Sequence, residues 1–322
     1  MSLDMLVRIL RALTPALAAL AAATPASGAA PEPYAAAWGA SPQIVFAPAG
    51  SRSGIWVISP RGGAVRLLTN AGGADGGLAV SPNGESLLFG SGSTLYRIPL
   101  AGGTPRALGT GFNPAWSPDG RRIAFTRDGG IYVMQADGTG ARKVVTNRYI
   151  ESAGAPTWSP DGRKLAYVAC SAPYLSRPCE HQYGFDVYVI GLDGSDKHKV
   201  TRKRGLPQCP AWSHVAKLAF LSADNTVAIV RAGGGLRTFR PGGCPVWAPG
   251  GRRFAITTAT GAYLMNADGS GRTRITILPG SHTGFTAVAW SKDGRTLAVV
   301  GGEGVSHLWV VKADGTGLRR LV

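Results

Sequence analysis

The sequence predicts an all-β fold, a seven-bladed β-propeller of four-stranded antiparallel blades, and three observations carry that expectation. A turn-bearing segment, PAWSPDGRRIAF from Pro114, returns as PTWSPDGRKLAY from Pro156, PAWSHVAKLAF from Pro210, PVWAPGGRRFAI from Pro245 and VAWSKDGRTLAV from Val288, with a weaker copy, LAVSPNGESLLF, from Leu78. Its equivalent positions Val80, Trp116, Trp158, Trp212, Trp247 and Trp290 are spaced by 36, 42, 54, 35 and 43 residues, the period of a four-stranded blade. A short apolar segment recurs seven times, beginning at Ile55, Leu95, Ile131, Val187, Val227, Ala262 and Leu308. Finally, 46 glycines and 22 prolines, with almost no 3.6-residue periodicity after residue 30, suit a chain of strands and tight turns.

Each element of the repeat has a chemical reason. The first strand carries the tryptophan and stops at Ser-Pro-Asp-Gly, where proline presets φ, aspartate bonds nearby backbone and glycine accepts a positive φ. A second strand follows, such as Ile123-Ala124-Phe125 or Leu165-Ala166-Tyr167, apolar on both faces with a small middle residue, as in sheets covered on both sides. The third strand is the recurring apolar segment. Four copies run into a second turn at Asp137, Asp193, Asp268 and Asp314, each followed by glycine, and then into a fourth strand. These Asp-Gly turns lack the further oxygen ligands of a calcium loop and read as plain turns. Trp38 and Ser41-Pro42 look like an eroded start of blade one. On that reading every blade is contiguous in sequence and the ring closes without exchanging a strand between the termini. Six blades is the competing count.

The Trp-Ser-Pro-Asp-Gly units at Trp116–Gly120 and Trp158–Gly162, with the third-strand and Asp-Gly elements at matching offsets, resemble the TolB-type propeller repeat, a WD-repeat-like unit also found beside prolyl peptidase domains. The resemblance covers residues 38–322. It implies a propeller of the kind that serves as an interaction platform in the cell envelope, but without the additional α/β domain that precedes the propeller in TolB.

Two domains are expected: a signal peptide over residues 1–29 and a single propeller over residues 30–322. Arg8 and Arg11 precede the apolar run Ala12–Ala23 and small residues up to Ala29, the layout of a cleaved secretory signal. The run is short for a membrane span, and an uncleaved anchor over Met5–Ala23 is the competing reading. The mature chain is expected to be secreted or periplasmic, monomeric and without a transmembrane segment. Formal charge is +16, and removing Arg8, Arg11 and Asp4 leaves +15. That balance suits an anionic partner. Nucleic acid is disfavoured, since no basic stripe with interleaved aromatics and no nucleic-acid motif is present.

The cysteines are even in number, which in an exported chain favours disulfides. Cys209 and Cys244 each stand three residues before a motif tryptophan, hence at equivalent places on the innermost strands of adjacent blades, and are expected to pair. Cys170 and Cys179 are expected to pair within the long insertion Val168–Asp186. The five histidines show no ligand spacing, so no metal and no cofactor is expected.

No Gly-x-Ser-x-Gly elbow, His-Glu-x-x-His, P-loop or dinucleotide fingerprint occurs. The expected function is therefore a noncatalytic module binding a protein or an anionic envelope component. The competing class is a lactonase-like or glycan-acting enzyme with a loop-built site. Either site is placed where the second-to-third and fourth-to-first strand connections converge at one mouth of the channel. Arg148, Glu151, Arg202, Lys203, Arg204, Arg240 and His282 are its candidate binding residues, with Asp75, Asn113 and Tyr149 on the same connections and Tyr174, Arg177, His181 and Tyr183 in the insertion alongside. Scarce acids argue against paired-carboxylate hydrolysis.

Overall fold

The computed structural model describes residues 33–38, 41–48, 54–72, 77–146, 156–170, 185–201, 208–230, 235–258, 261–275, 285–301 and 306–322. They form seven four-stranded sheets, each antiparallel and each built from four consecutive strands. The count is seven, not six. Blade 1 comprises Pro33–Ala37, Ile44–Pro48, Ile55–Ile58 and Arg66–Thr69; blade 2, Leu78–Val80, Ser86–Ser91, Thr94–Pro99 and Arg106–Thr110. Blade 3 is Phe112–Trp116, Arg122–Arg127, Gly130–Gln135 and Arg142–Thr146; blade 4, Thr157–Trp158, Lys164–Cys170, Phe185–Gly191 and His198–Lys199. Blade 5 is Gln208–Trp212, Leu218–Leu221, Val227–Val230 and Leu236–Phe239; blade 6, Val246–Trp247, Arg253–Thr258, Gly261–Asn266 and Thr273–Arg274. Blade 7 is Phe285–Trp290, Thr296–Gly301, His307–Lys312 and Arg319–Arg320. No strand is shared between the chain ends; the first strand of blade 1 is Pro33–Ala37, and Trp38, expected to begin that blade, comes directly after this strand.

The turn chemistry explains the first hairpin. Ser117 Oγ accepts from the Arg122 amide at 2.8 Å and donates to Asp119 Oδ1 at 2.5 Å, while Asp119 also accepts from the Arg121 amide at 3.1 Å. Ser159 with Asp161 and Ser291 with Asp293 repeat the arrangement. The second hairpin uses aspartate differently: Asp137 Oδ1 takes the Thr139 amide and hydroxyl at 2.9 and 2.7 Å, and Asp193, Asp268 and Asp314 do the same with Ser195, Ser270 and Thr316. These carboxylates are committed to their turns.

One apolar cluster straddles each of the seven blade boundaries, including that between blades 7 and 1, where Ile44 and Phe46 meet Ala298, Val300 and Leu308. The middle alanines of the second strands, Ala124, Ala166, Ala219, Ala255 and Ala298, have no exposed surface, as sheets packed on both faces demand. A blade cannot bury both faces alone, so the ring supplies the stability.

The motif tryptophans stitch neighbours together. The indole N–H of Trp116 donates to Ala79 O, Trp158 to Ala115 O, Trp247 to Ala211 O and Trp290 to Val246 O, at 2.9 to 3.0 Å. Each bond runs from one innermost strand to the preceding one. Val80 cannot make it, Trp38 donates instead to Ser41 O of its own turn at 3.1 Å, and the buried Trp212 N–H has no partner. Arginines add a second set of cross-blade bonds: Arg66 to Leu100 O, Arg97 to Ala136 O, Arg122 to Gly162 O, Arg142 to Leu192 O, Arg253 to Ala313 O and Arg319 to Arg61 O. The long, multiply donating guanidinium reaches carbonyls that a neutral side chain of that length would not.

Candidate functional site

In a four-stranded meander, the first and third turns lie at one end of the blade and the second turn at the other. The second-to-third and fourth-to-first connections of all seven blades therefore share one mouth, as the sequence reading required. Arg148, Glu151, Arg202, Lys203, Arg204 and His282 lie outside the described residues, as do Asp75, Tyr149, Cys179 and the insertion residues. Arg240, Asn113 and the groups that flank the undescribed segments define what is known of this mouth.

Arg240 is exposed at the end of blade 5 and enters a cis peptide bond with Pro241. Its segment is held tightly. A Cβ on Gly242 would sit 2.3 Å from the backbone of Asn225, and one on Gly243 2.5 Å from Thr257 O. Asp224, on the adjacent connection, bonds Thr226 Oγ1 at 2.7 Å; that hydroxyl, and the charge of Arg240, hold its carboxyl below the usual carboxylate range. Cys209 and Cys244 form a disulfide, with Cα atoms 5.4 Å apart, between blades 5 and 6. This bond clamps the mouth ends of two innermost strands beside Arg240.

Asn113 and Cys209, each three residues before a motif tryptophan, have φ of 52° and 51°. Both stand where the pairing of first and second strands shifts register. Bulges of this kind re-aim side chains at rims and sites. Asn113 reaches Thr126 Oγ1 at 3.5 Å.

The element that sequence reasoning missed is Asp186. This carboxylate has no exposed surface: the second and third strands of blade 4 run to Cys170 and from Phe185, so the connection is 171–184 rather than the expected Val168–Asp186, and Asp186 lies on the third strand. Lys199 Nζ approaches Asp186 Oδ2 at 3.0 Å, and Thr201 Oγ1 donates a short hydrogen bond to Oδ1. The Val187 amide also donates to Thr201 Oγ1. One buried charge thus ties the base of the insertion to the base of the Arg202–Arg204 connection. An aspartate in an otherwise apolar strand, FDVYVIG, was the available signal.

Away from the mouth, a cavity of about 610 Å³ opens around blade 5, over Val189, Trp212, Leu218 and Ile229, with Lys217 and Arg237 at its edge. Blade 5 has second and third strands of four residues, against six in blades 2, 3 and 7, and so leaves its neighbours partly uncovered. The lining is mainly apolar, with Lys164, His198 and Asp268 as its other charged or titratable side chains. Among the described residues no group of histidine, cysteine and carboxylate side chains could hold a metal ion, and no helix is long and apolar enough to cross a membrane.

No protein-family model matches this chain, and no curated protein matches it. Solved structures do. It is similar to the putative TolB of Agrobacterium tumefaciens at 21% identity and TM-score 0.52, over 85% of this chain and 89% of that one. It is similar to an oligogalacturonate lyase in complex with manganese at 15% identity and TM-score 0.59, over 75% of each chain. Puromycin hydrolase is matched at 15% identity and TM-score 0.68 over 91% of this chain, which spans about half (54%) of that longer one. These neighbours include enzymes as well as TolB, and at such identities the likeness extends to architecture alone: this chain has a TolB-like, seven-bladed β-propeller fold.

Proposed function

We propose that this chain is a secreted or periplasmic binding module without chemistry of its own, which takes a protein or an anionic envelope component at the mouth that carries Arg148, Glu151, Arg202, Lys203, Arg204, Arg240 and His282. The observation that supports this most is the bracing of that mouth. The Cys209–Cys244 disulfide and the buried Asp186 with Lys199 and Thr201 fix the strand ends on either side of Arg202–Arg204 and the strand that follows Arg240. A rigid scaffold presenting variable connections is the usual arrangement of a recognition surface. The absence from the sequence of recognised catalytic motifs is a further ground for reading it as a binder.

The test is capture from an envelope extract by immobilised protein at low salt. Replacing Arg202, Lys203 and Arg204 together with alanine is expected to weaken capture strongly and to leave the melting temperature nearly unchanged, because exposed charges contribute little to folding. Undiminished capture would remove this site. Turnover of an envelope-derived substrate by the wild type would replace the binding module with the loop-built enzyme.

A further inference from the structure

Blade 5 departs from its repeat at the end opposite the mouth, and the departures converge on the cavity there. In blades 2, 3, 4, 6 and 7 the first hairpin is closed by a backbone bond like that between Ser117 and Arg122; in blade 5 the bond joins Ser213 and Lys217, one residue closer in sequence. Val215 stands where blades 3, 4 and 7 have Asp119, Asp161 and Asp293, and it is 52% exposed. Ala216 takes the place of Gly120 and keeps its left-handed backbone, at φ 57°. An alanine in that conformation is strained where glycine is not. Backbone strain that persists in one copy of a repeat points to use rather than to folding.

Trp212 differs in turn from the motif tryptophans of blades 3, 4 and 6. Arg97 lies over Trp116 at 5.4 Å, Arg122 over Trp158 at 5.0 Å, and Phe254 meets Trp247 edge-on at 5.3 Å. Lys164, the counterpart of Arg122 in blade 4, turns instead to Asp196 at 3.2 Å. Among the described residues the half-buried Trp212 indole has no hydrogen bond and no cation or ring against it, and it lines the cavity. The polar groups around it are mostly committed. Lys164 is paired with Asp196, and the His198 ring meets the Asp196 carbonyl at 2.7 Å. Asp268 holds the amide and hydroxyl of Ser270, while Arg237 lies over Phe239 at 5.3 Å and in the field of Asp268. Lys217 is the exception: among the described residues its ammonium forms no ion pair.

We propose that this cavity binds a small aromatic monoanion, a planar ring system carrying one carboxylate or sulfonate, with its ring against Trp212, Val189 and Ile229 and its charge on Lys217. A volume of about 610 Å³ lies within the range of small-molecule sites, about 300–1,000 Å³. The uncovered indole face favours a planar ring over an alkyl chain. One uncommitted cation matches one negative charge, and the carboxylates of Asp196 and Asp268 nearby disfavour a second. Val215 and Asp268 belong to first and third turns, at the end of the disc away from the mouth, so this inference does not depend on the proposed mouth function.

Equilibrium dialysis with naphthoate tests it, with naphthylmethanol, naphthylmethylamine and decanoate as the neutral, cationic and aliphatic arms. The purified protein is expected to bind naphthoate about tenfold more tightly than naphthylmethanol, since a hydrogen bond to a charged partner is worth roughly that factor. Naphthylmethylamine and decanoate are expected to bind more weakly than naphthoate. Lys217→Gln is expected to erase the preference by weakening naphthoate and leaving naphthylmethanol unchanged, a split that a merely structural lysine would not give. Val215→Asp, which restores the carboxylate of the other blades beside Lys217, is expected to weaken naphthoate by about the same factor. Both side chains are exposed, so melting temperatures should stay near that of the wild type. The R202A/K203A/R204A variant is expected to bind naphthoate as the wild type does, which separates cavity from mouth. No binding at millimolar naphthoate, equal affinity for naphthoate and naphthylmethanol, tighter binding of decanoate, or unchanged naphthoate affinity in Lys217→Gln would each overturn the proposal.

Discussion

At the level of single residues, the repeat provides its own controls. Trp158 and Trp212 occupy the same place in adjacent blades, but only the Trp158 indole has a carbonyl to donate to. Replacing either by phenylalanine removes similar volume; only at Trp158 does it remove a hydrogen bond. Trp158→Phe is therefore expected to cost about 1–2 kcal/mol more than Trp212→Phe, measured by urea unfolding. Equal costs would show that the bond contributes nothing. Tyr167 offers the converse case. It fills the position of Phe125 in the preceding blade, is fully buried against Tyr188, and its hydroxyl has no partner. Burial, and secondarily Tyr188, pushes its phenol pKa well above the ordinary value. Tyr167→Phe should leave the protein as stable or about 1 kcal/mol more stable, since it deletes an unsatisfied polar group.

The blade boundary is the element on which stability turns, and the boundaries are not equivalent. Most carry an indole or guanidinium bond to a carbonyl of the neighbour. Among the described residues, that between blades 4 and 5 shows no such bond and rests on the cluster of Val187, Val189, Leu218 and Phe220. The next boundary, between blades 5 and 6, has the Trp247 bond and the disulfide as well. Cys209 and Cys244 are 35 residues apart, so closing that loop should contribute about 3–4 kcal/mol on the chain-entropy account. Cys209→Ser with Cys244→Ser is expected to lower stability by that order in denaturant melts. A loss below about 1 kcal/mol would mean that the cysteines brace the mouth without stabilising the ring.

For the whole molecule, the turn carboxylates set the response to acid. The Ser117 hydroxyl, the Ser159 hydroxyl and the Ser291 hydroxyl hold Asp119, Asp161 and Asp293 below the usual carboxylate range, and backbone amides act in the same direction. A group whose pKa is lower folded than unfolded stabilises the fold above its unfolded value, about 4, and loses that contribution as pH falls through the folded value. The three groups are largely exposed, so each effect is small, and it is their repetition around the ring that tells. The melting temperature should be flat from neutral pH to about 5 and fall below about 4, with a shallower acid limb in the D119N/D161N/D293N variant. An acid limb of unchanged slope would show that these three carboxylates do not set it, and would leave it to the second-hairpin aspartates Asp137, Asp193, Asp268 and Asp314, whose carboxyls are lowered in the same way.

The architecture was legible because a propeller is written locally. Trp-Ser-Pro-Asp-Gly specifies a strand end and a turn, the apolar third strand specifies a sheet covered on both faces, and seven copies specify the number of blades. The pairing of Cys209 with Cys244 was legible for the same reason, since equivalent positions in adjacent repeats are neighbours in space. Asp186 was not: whether an aspartate is buried, and on which cation and hydroxyl it rests, depends on Lys199 and Thr201 folding back from another strand. Nor could sequence tell that Trp116 has an acceptor and Trp212 has none, which turns on how one blade sits against the next. The same holds for the charge. Composition states the net value, while only the assignment of each residue to a strand shows that the fourth strands hold nine Lys or Arg and the first strands none, because radial position is a property of the closed ring and not of any one repeat.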